Sequence, residues 1–256
     1  MSVGVTEFWT FTLAFTRVVA LVATAPIFSS RAVPRTARVG LAALLAVAIA
    51  PNIPAVAVRP PADLFGLLGQ LAAEAAVGLF IGFLTRVVFS AFESAGHFVD
   101  VQIGFGMMSV LNPFSEQTGA VVSRFLYQLG FTLFLVAGGH LLLIGAIATS
   151  YEIAGPGAAH FGGDGMGVVT GMATGMVLLA LRLALPIAAS LLVVDVAFAI
   201  IARMVPQIHI LIVGLPVKTL VGLLTLALAV PGVALVAEGV PQDVARATYA
   251  ILRAVR

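Results

Sequence analysis

The stretch GHFVDVQIGFGMMSVLNPFSEQT, residues 96–118, separates long apolar runs that lie on both sides of it. It contains three glycines and the turn-forming pair Asn112-Pro113, a density that argues against a continuous helix. Six of its side chains are nevertheless too apolar for a loop in water, namely Phe105, Met107, Met108, Val110, Leu111 and Phe114. Non-helical backbone in a membrane protein occurs where protein buries it or where it lines a watery cavity. We therefore predict a plug, a gasket or a re-entrant segment, with an interfacial loop on lipid headgroups as the alternative.

The composition excludes a soluble protein. Of the 256 residues, 61% are hydrophobic and only 9% are charged, and the mean hydropathy is +1.15. A soluble domain carries roughly 25% charged residues, so an all-α integral membrane protein is predicted. The net charge of +2 and the lack of a basic run indicate no nucleic-acid partner. The chain has no cysteine, its four histidines lack metal-ligand spacing, and no catalytic motif is present, so we predict no enzyme activity, no metal and no cofactor.

Six apolar regions lie near the length of roughly 20 residues that spans ~30 Å of hydrocarbon. They are residues 8–28, 39–58, 64–92, 121–147, 168–202 and 209–237, followed by a mildly amphipathic tail, 238–256. The fifth region is too long for one span and contains Pro186, which predicts either one long kinked helix or two halves forming a hairpin. Pro216 and Pro231 predict breaks in the sixth region. We divide the chain into an N-terminal part, 1–120, with the apolar loop at about 104–118, and a C-terminal helical part, 121–256.

Several charged residues and one histidine lie inside these apolar regions. A charge at a helix centre costs about 2.5–3.5 kcal/mol on membrane-insertion scales, so these side chains must face protein or water. Three alternatives stay open: ion pairs within the chain, contacts with other subunits, or a proton or ion relay. Glu74 is expected to pair with an arginine of another span in the first alternative. The residues are Arg17, Glu74, Arg86, His140, Arg182 and Asp195.

Glycines spaced four apart predict close helix approach, since small residues let helix backbones touch in a membrane. Gly78 and Gly82 form one such pair, and Gly167, Gly171 and Gly175 form two overlapping ones. Packing within the chain is favoured over a dimer interface, because the spacing is common by chance in a chain with 26 glycines.

The segment ARMVPQIHILIVGLPVK, residues 202–218, carries the most specific pattern. An arginine, a Pro-Gln pair and a Gly-x-Pro end occur there in Arg203, Pro206, Gln207, Gly214 and Pro216. This pattern resembles the FliR family, a flagellar export-gate subunit with injectisome counterparts, and departs from it at His209. The resemblance extends along the whole chain through Arg17, Pro26, Glu74, Gly78, Gly82, Asp100, Gln102, Gly104 and Asn112-Pro113.

The resemblance implies a fusion of a FliP-like N-terminal side with a FliQ-like C-terminal side. One copy would join FliP-type and FliQ-type subunits in a helical pore, next to FlhB-type and FlhA-type components. Unfolded export substrates would pass through this gate, in the bacterial inner membrane at the flagellar basal body. The alternatives are the injectisome counterpart, a secondary transporter using Glu74, Arg182 and Asp195 around broken helices, and an intramembrane enzyme.

The resemblance also implies roles for particular residues. Methionines suit a pore plug because their flexible side chains repack around whatever passes, and Gly104 and Gly106 would let the loop swing. The implied plug residues are Phe105, Gly106, Met107, Met108, Leu111, Asn112, Pro113 and Phe114. The implied inter-subunit or buried polar contacts are Arg17, Glu74, Arg86, Asp100, Gln102, Arg182, Asp195, Arg203 and Gln207. Helix breaks and close packing are expected at Gly78, Gly82, Pro186, Pro206, Gly214 and Pro216.

Overall fold

The computed structural model describes residues 2–30, 33–53, 60–61, 63–105, 120–157, 165–205, 207 and 210–254. Within these ranges the protein is all-α, as predicted, and contains no β-strand. The elements are α1 Ser2–Thr24, α2 Pro26–Ser29, α3 Arg35–Ile49, a 3-10 turn Ala50–Asn52, α4 Leu64–Ile103, α5 Val121–Val136, α6 Gly139–Ile153, α7 Gly165–Met204 and α8 Ile210–Ala254. Helices dominate because an α-helix satisfies its own backbone hydrogen bonds where water is absent.

Within the described part of the chain, four helices are long and apolar enough to cross a membrane, namely α1, α4, α7 and α8. The bent pair of α5 and α6 would make a fifth span among the described residues. Helix α3 has only 15 residues, or about 22 Å at ~1.5 Å per residue, which is shorter than the hydrocarbon core. The predicted number of six segments is not confirmed, and the FliP-like plus FliQ-like fusion stays a prediction.

The predicted loop begins later than the sequence indicated. Helix α4 runs through Gly96 and ends at Ile103, so the prediction of non-helical backbone from residue 96 is wrong. A Cβ on Gly96 would lie 2.2 Å from the Cα of Ser123, so this glycine serves the close approach of α5 rather than a helix break. The helix ends instead at Ile103, just before Gly104, whose φ of 96° is a left-handed conformation that favours glycine.

The fourth apolar region is not one helix. It divides at Gly138, which has a φ of 75°, and α5 and α6 are bent by 64° relative to each other. A second glycine follows at position 139 because a Cβ there would lie only 2.1 Å from the Phe134 ring. The pair Gly138-Gly139 is the sequence feature that indicates this helix end, but it lies within a continuous apolar run that predicts a single helix.

The predicted breaks in the last two regions are wrong. Pro186 lies inside the continuous helix α7, and Pro216 and Pro231 lie inside α8, so the two-halves hairpin alternative for the fifth region is excluded. Gly214 is buried within α8 as well. A proline removes one backbone hydrogen bond, but transmembrane helices tolerate this loss because neighbouring groups and small local adjustments of the helix satisfy the freed backbone carbonyl. Pro206 and His209 lie outside the described residues.

The chain forms two compact units, each assembled from distant parts of the sequence. The first comprises Met1–Val88, Phe134–Ala173 and Val240–Arg256, and the second comprises Phe89–Leu133 and Thr174–Gly239. Each has its own apolar core. Fully buried residues of the first unit include Leu13, Leu21, Ile81, Leu84 and Ile147, and those of the second include Phe89, Phe92, Ile103, Leu126 and Leu191. The division of the chain into parts 1–120 and 121–256 stays a prediction.

Candidate functional site

A buried ion pair joins α1 to α4 in the first unit. Arg17 donates from Nε to Oε2 of Glu74 at 2.7 Å and from Nη2 to Oε1 at 3.0 Å, and both side chains are fully buried. Gly78, one turn after Glu74, permits this approach, because a Cβ there would lie 2.1 Å from the carbonyl oxygen of Arg17. A Cβ at Gly82 would likewise lie only 1.8 Å from Oγ1 of Thr24. The small residues of α4 therefore allow the two helices to meet, and the bidentate pair forms at their contact.

Helix α6 and the turn after it complete the surroundings of this pair. Glu74 also accepts hydrogen bonds from the Tyr151 hydroxyl at 2.9 Å and from the backbone N–H of Gly157 at 2.8 Å. Arg17 Nη1 donates to Ser150 Oγ at 2.6 Å. The Arg17 guanidinium lies 3.7 Å from the centre of the Tyr151 ring, a cation–π contact. We call Arg17, Glu74, Ser150, Tyr151 and Gly157 the Arg17–Glu74 cluster.

The Arg17–Glu74 cluster distinguishes between the three alternatives for the buried charges. Both charges are satisfied by partners in the same unit, so the pairing within the chain applies to Arg17 and Glu74. A buried charge persists when it is paired and hydrogen-bonded, and both conditions hold for Arg17 and Glu74. The cluster thus fixes α1, α4 and α6 against one another, and an unpaired carboxylate of the kind that a proton relay uses is not present at Glu74.

Asp100 connects α4 to the start of α5 in the second unit. Its carboxylate, with only 2% of the residue exposed, accepts hydrogen bonds from the backbone N–H groups of Val122 at 2.9 Å and Ser123 at 3.0 Å. The Asp100 carbonyl accepts from the N–H groups of Gly104 at 3.2 Å and Phe105 at 2.9 Å. Asp100 thereby contacts residues 104–105, which precede residues 106–119, and residues 122–123, which follow them.

A second ion pair joins α7 to α8 in the second unit. Lys218 Nζ contacts Asp195 Oδ1, and the side chains are 24% and 37% exposed, respectively. Asp195 is therefore paired within the chain as well, although it stays partly accessible. The sequence analysis did not identify Lys218 as the partner of Asp195, although a single lysine inside an apolar region indicates a side chain that needs a partner.

The remaining polar residues of the sequence prediction are more exposed. Gln102 is half-buried, whereas Arg86, Arg182, Arg203 and Gln207 are exposed. None of the three arginines has an ion pair among the residues that the structure describes. Their assignment to contacts with other subunits stays a prediction.

His140, in α6, is half-buried, and its Nδ1 atom has no hydrogen-bond partner within the described ranges. No group of three or more histidine, aspartate or glutamate residues in those ranges could hold a metal ion.

Most of the predicted plug lies outside the described residues. Phe105 is half-buried at the end of the turn that follows α4. Gly106, Met107, Met108, Leu111, Asn112, Pro113 and Phe114 are in the part of the chain that the structure does not describe. Their role stays a prediction from the sequence.

Sequence reasoning also missed three members of the Arg17–Glu74 cluster. Ser150 and Tyr151 form a polar pair near the end of an apolar region, a position that reads equally well as a membrane boundary. Gly157 contributes a backbone N–H, and its φ of 69° marks a left-handed turn. No side-chain pattern could have revealed that contact.

Comparison with known proteins gives consistent matches over most of the chain. The profile of the family described as bacterial export proteins, family 1, matches residues 8–243. The chain is 32% identical over 218 residues to the flagellar biosynthetic protein FliR of Escherichia coli (strain K12), covering 85% of this chain and 83% of the relative. It is 32% identical over 221 residues to the protein of that name from Bacillus subtilis (strain 168), covering 84% of each. It is 31% identical over 180 residues to the Yop proteins translocation protein T of Yersinia pestis, covering 68% of this chain and 69% of the relative.

Proposed function

Because the chain belongs to the family of bacterial export proteins, family 1, and is thus a type III export component of the FliR kind, we propose that it is a non-enzymatic subunit of the gate itself. In this proposal one copy joins FliP-type and FliQ-type subunits around a pore in the bacterial inner membrane. FlhB-type and FlhA-type components lie next to the gate, and unfolded export substrates pass through it. The subunit contributes structure and closure, and the energy for export comes from elsewhere in the apparatus.

The exposed apolar face of α7 is the observation that carries this proposal. Strongly exposed apolar residues extend from Val177, at 55%, through Val193, at 69%, to Met204, at 76%. At about 1.5 Å per residue this run is about 40 Å long, which exceeds the ~30 Å of hydrocarbon that lipid supplies. Arg182 is exposed within the same run, where lipid contact would cost about 2.5–3.5 kcal/mol. Neighbouring protein subunits account for both the length of this face and its charge.

Co-purification tests the assembly. The full chain, expressed with its FliP-type and FliQ-type partners and extracted from membranes, is expected to purify as a complex whose native mass gives the copy number. Leu192, which is 61% exposed on the α7 face, offers a matched perturbation, because Leu192→Arg should abolish co-purification without touching a buried residue. A chain that purifies as a monomer from cells containing these partners would overturn the proposal.

The plug is the finer part of the proposal and rests on sequence alone. An apolar constriction excludes water and ions by dewetting, and residues 106–118 have the required apolar and flexible composition. Deletion of residues 106–118 is expected to leave the complex assembled and able to export, while making the membrane permeable to small ions. Unchanged ion permeability in cells that carry the assembled deletion variant would exclude a plug in this segment.

The injectisome relative supports a second candidate, in which this chain serves an injectisome gate. Identity to the Yersinia pestis protein is comparable, at 31%, but covers only 68% of this chain, whereas the Escherichia coli FliR match covers 85%. We favour the flagellar gate for that reason. Introducing the chain into a strain that lacks its own flagellar export subunit is expected to restore motility. Restoration of injectisome secretion alone would favour the second candidate.

A further inference from the structure

The exposed side of α7 has a regular spacing of residues. Helix α7 packs on the rest of its unit through Leu183, Ile187 and Leu191, which are at most 2% exposed. On the opposite side, seven exposed residues follow one another at alternating intervals of three and four. They are Arg182, Leu185, Ala189, Leu192, Val196, Ala199 and Arg203. We call this set of residues the α7 seam.

The spacing of the α7 seam is typical of a contact between two helices. Alternating intervals of three and four give an average repeat of 3.5 residues, which keeps one side of a helix against a partner helix along its whole length. Ala189 and Ala199 are small, and small residues let helix backbones approach closely in a membrane. From Arg182 to Arg203 the seam is about 31 Å long at ~1.5 Å per residue. A complete membrane-spanning helix therefore fits along it.

Arg182 determines the chemistry that such a helix needs. Its side chain is exposed and forms no ion pair with any residue that the structure describes. The apolar stretch Val169–Met204 has its midpoint between Pro186 and Ile187, so Arg182 lies about 7 Å from the middle of this stretch. An arginine at that depth requires a partner. A carboxylate matches the guanidinium best, because it accepts two parallel hydrogen bonds from it.

Lipid is a poor cover for the α7 seam. If Arg182 lay among the headgroups, the apolar side chains that precede it on α7 would stand outside the hydrocarbon. Among them, Val177, Leu178 and Leu181 are 55%, 50% and 45% exposed. Helix α8 differs in this respect, since every exposed side chain from Val213 to Leu235 is uncharged. The α8 surface thus suits lipid, whereas the α7 seam suits protein.

A second copy of this chain is a poor cover as well. Two α7 seams that pack side by side in parallel place Arg182 opposite Arg182. Packed antiparallel over their full length, they place Arg182 opposite Arg203. Both arrangements bring like charges together, which disfavours association. The charge pattern therefore favours a different protein.

We propose that the α7 seam binds one apolar transmembrane helix of a different subunit, and that this helix carries an aspartate or glutamate that pairs with Arg182. This inference rests on the proposed function, because it requires the chain to be part of an assembly. The apolar seam residues supply the packing, and Arg182 selects the partner, since a helix without a carboxylate at that depth leaves the guanidinium unpaired.

Photo-crosslinking in the complete complex identifies the partner. A benzophenone amino acid replaces Leu185 or Val196 on the seam, and Leu224 on α8 in the control; these residues are 57%, 54% and 57% exposed, respectively. The two seam positions are expected to crosslink to the same segment of one other protein, and that segment should contain an aspartate or glutamate. The control position is expected to crosslink to lipid.

Charge substitutions then test the role of Arg182. Arg182→Glu should lower the yield of co-purified complex at least about tenfold, because it opposes two carboxylates in an apolar contact. Arg182→Lys should retain most of the yield. Changing the partner carboxylate to arginine should restore the yield of Arg182→Glu. The control Arg246→Leu, at a side chain that is 75% exposed in the last part of α8, should equal the parent chain.

The outcomes separate this inference from the proposed function. If the parent chain co-purifies with no other subunit, the proposed function is wrong and the inference falls with it. If the complex forms but the seam positions crosslink only to lipid or to a second copy, the inference is overturned and the proposed function stands. The same holds if Arg182→Glu assembles at the parent yield. Crosslinking leaves Arg182 intact, so it decides the matter even where an Arg182 variant does not fold.

Discussion

Removal of the Glu74 carboxylate is expected to cost more stability than the loss of one ordinary contact. Glu74 accepts two hydrogen bonds from Arg17, one from Tyr151 and one from Gly157, all in a fully buried position. Glu74→Ala leaves the Arg17 guanidinium buried without its counter-ion. Breaking a buried pair in this way lowers the free energy of unfolding by about 3–5 kcal/mol.

A double-mutant cycle identifies the cause of that loss. Arg17→Leu should be destabilising to a similar degree, because it leaves the carboxylate of Glu74 buried and uncompensated. The variant carrying both Arg17→Leu and Glu74→Ala contains no lone charge, so its loss should be well below the sum of the single losses. The coupling free energy between Arg17 and Glu74 is expected to be about 1–3 kcal/mol. The residual loss comes from Tyr151 and Gly157, whose donors would be unsatisfied at about 1–3 kcal/mol each.

The chain provides its own optical probe for this measurement. Trp9 is the single tryptophan, is 9% exposed, and donates from Nε1 to Oε1 of Gln70 at 2.8 Å, so its fluorescence reports the separation of α1 from α4. The full chain in detergent micelles would be unfolded by titration with sodium dodecyl sulfate. Glu152→Ala, an exposed carboxylate on α6, is the control and should change the unfolding free energy by less than about 0.5 kcal/mol. Strictly additive single losses, or a Glu74→Ala loss below about 1 kcal/mol, would refute the reasoning.

Three further predictions use the same unfolding assay. Gly78→Ala should destabilise the chain by about 1–3 kcal/mol because the new Cβ would lie 2.1 Å from a backbone oxygen. The control Gly171→Ala, where nothing lies within 4 Å of the new Cβ, should be neutral or stabilising by up to about 1 kcal/mol. Equal effects of the two substitutions would contradict a specific close approach at Gly78. Asp195→Asn should cost no more than about 1 kcal/mol, because the pair with Lys218 is 37% and 24% exposed, and a larger loss would show that this pair is enclosed. Pro186→Ala should cause no loss of stability, since α7 is helical on both sides of this residue, and a clear loss would show that the proline shape is needed.

The fold class follows from the sequence, but the continuity of the helices does not. With 9% charged residues the chain cannot cover a water-exposed surface, and its continuous apolar runs of roughly 20 residues predict that the membrane segments are helices. Proline and glycine were read as breaks at Gly96 and Pro186, and both lie inside helices. Gly138, inside an apparently uniform apolar run, is where a helix does end. A glycine in a helix can serve close packing or a turn, and only the neighbour across the contact distinguishes these roles.

For the candidate site, the sequence alone determined which residues need an explanation. A charge in an apolar span has a known cost, so the sequence alone indicated that Arg17, Glu74 and Asp195 must face protein or water. The tertiary structure decided the partners, because pairing joins residues far apart in the chain: Glu74 meets a tyrosine 77 positions away and a backbone N–H 83 positions away. Sequence composition fixes the cost of burying a group, since that cost is a property of the group and its solvent. The contacts that offset the cost depend on how the helices pack, and packing is a property of the whole folded chain.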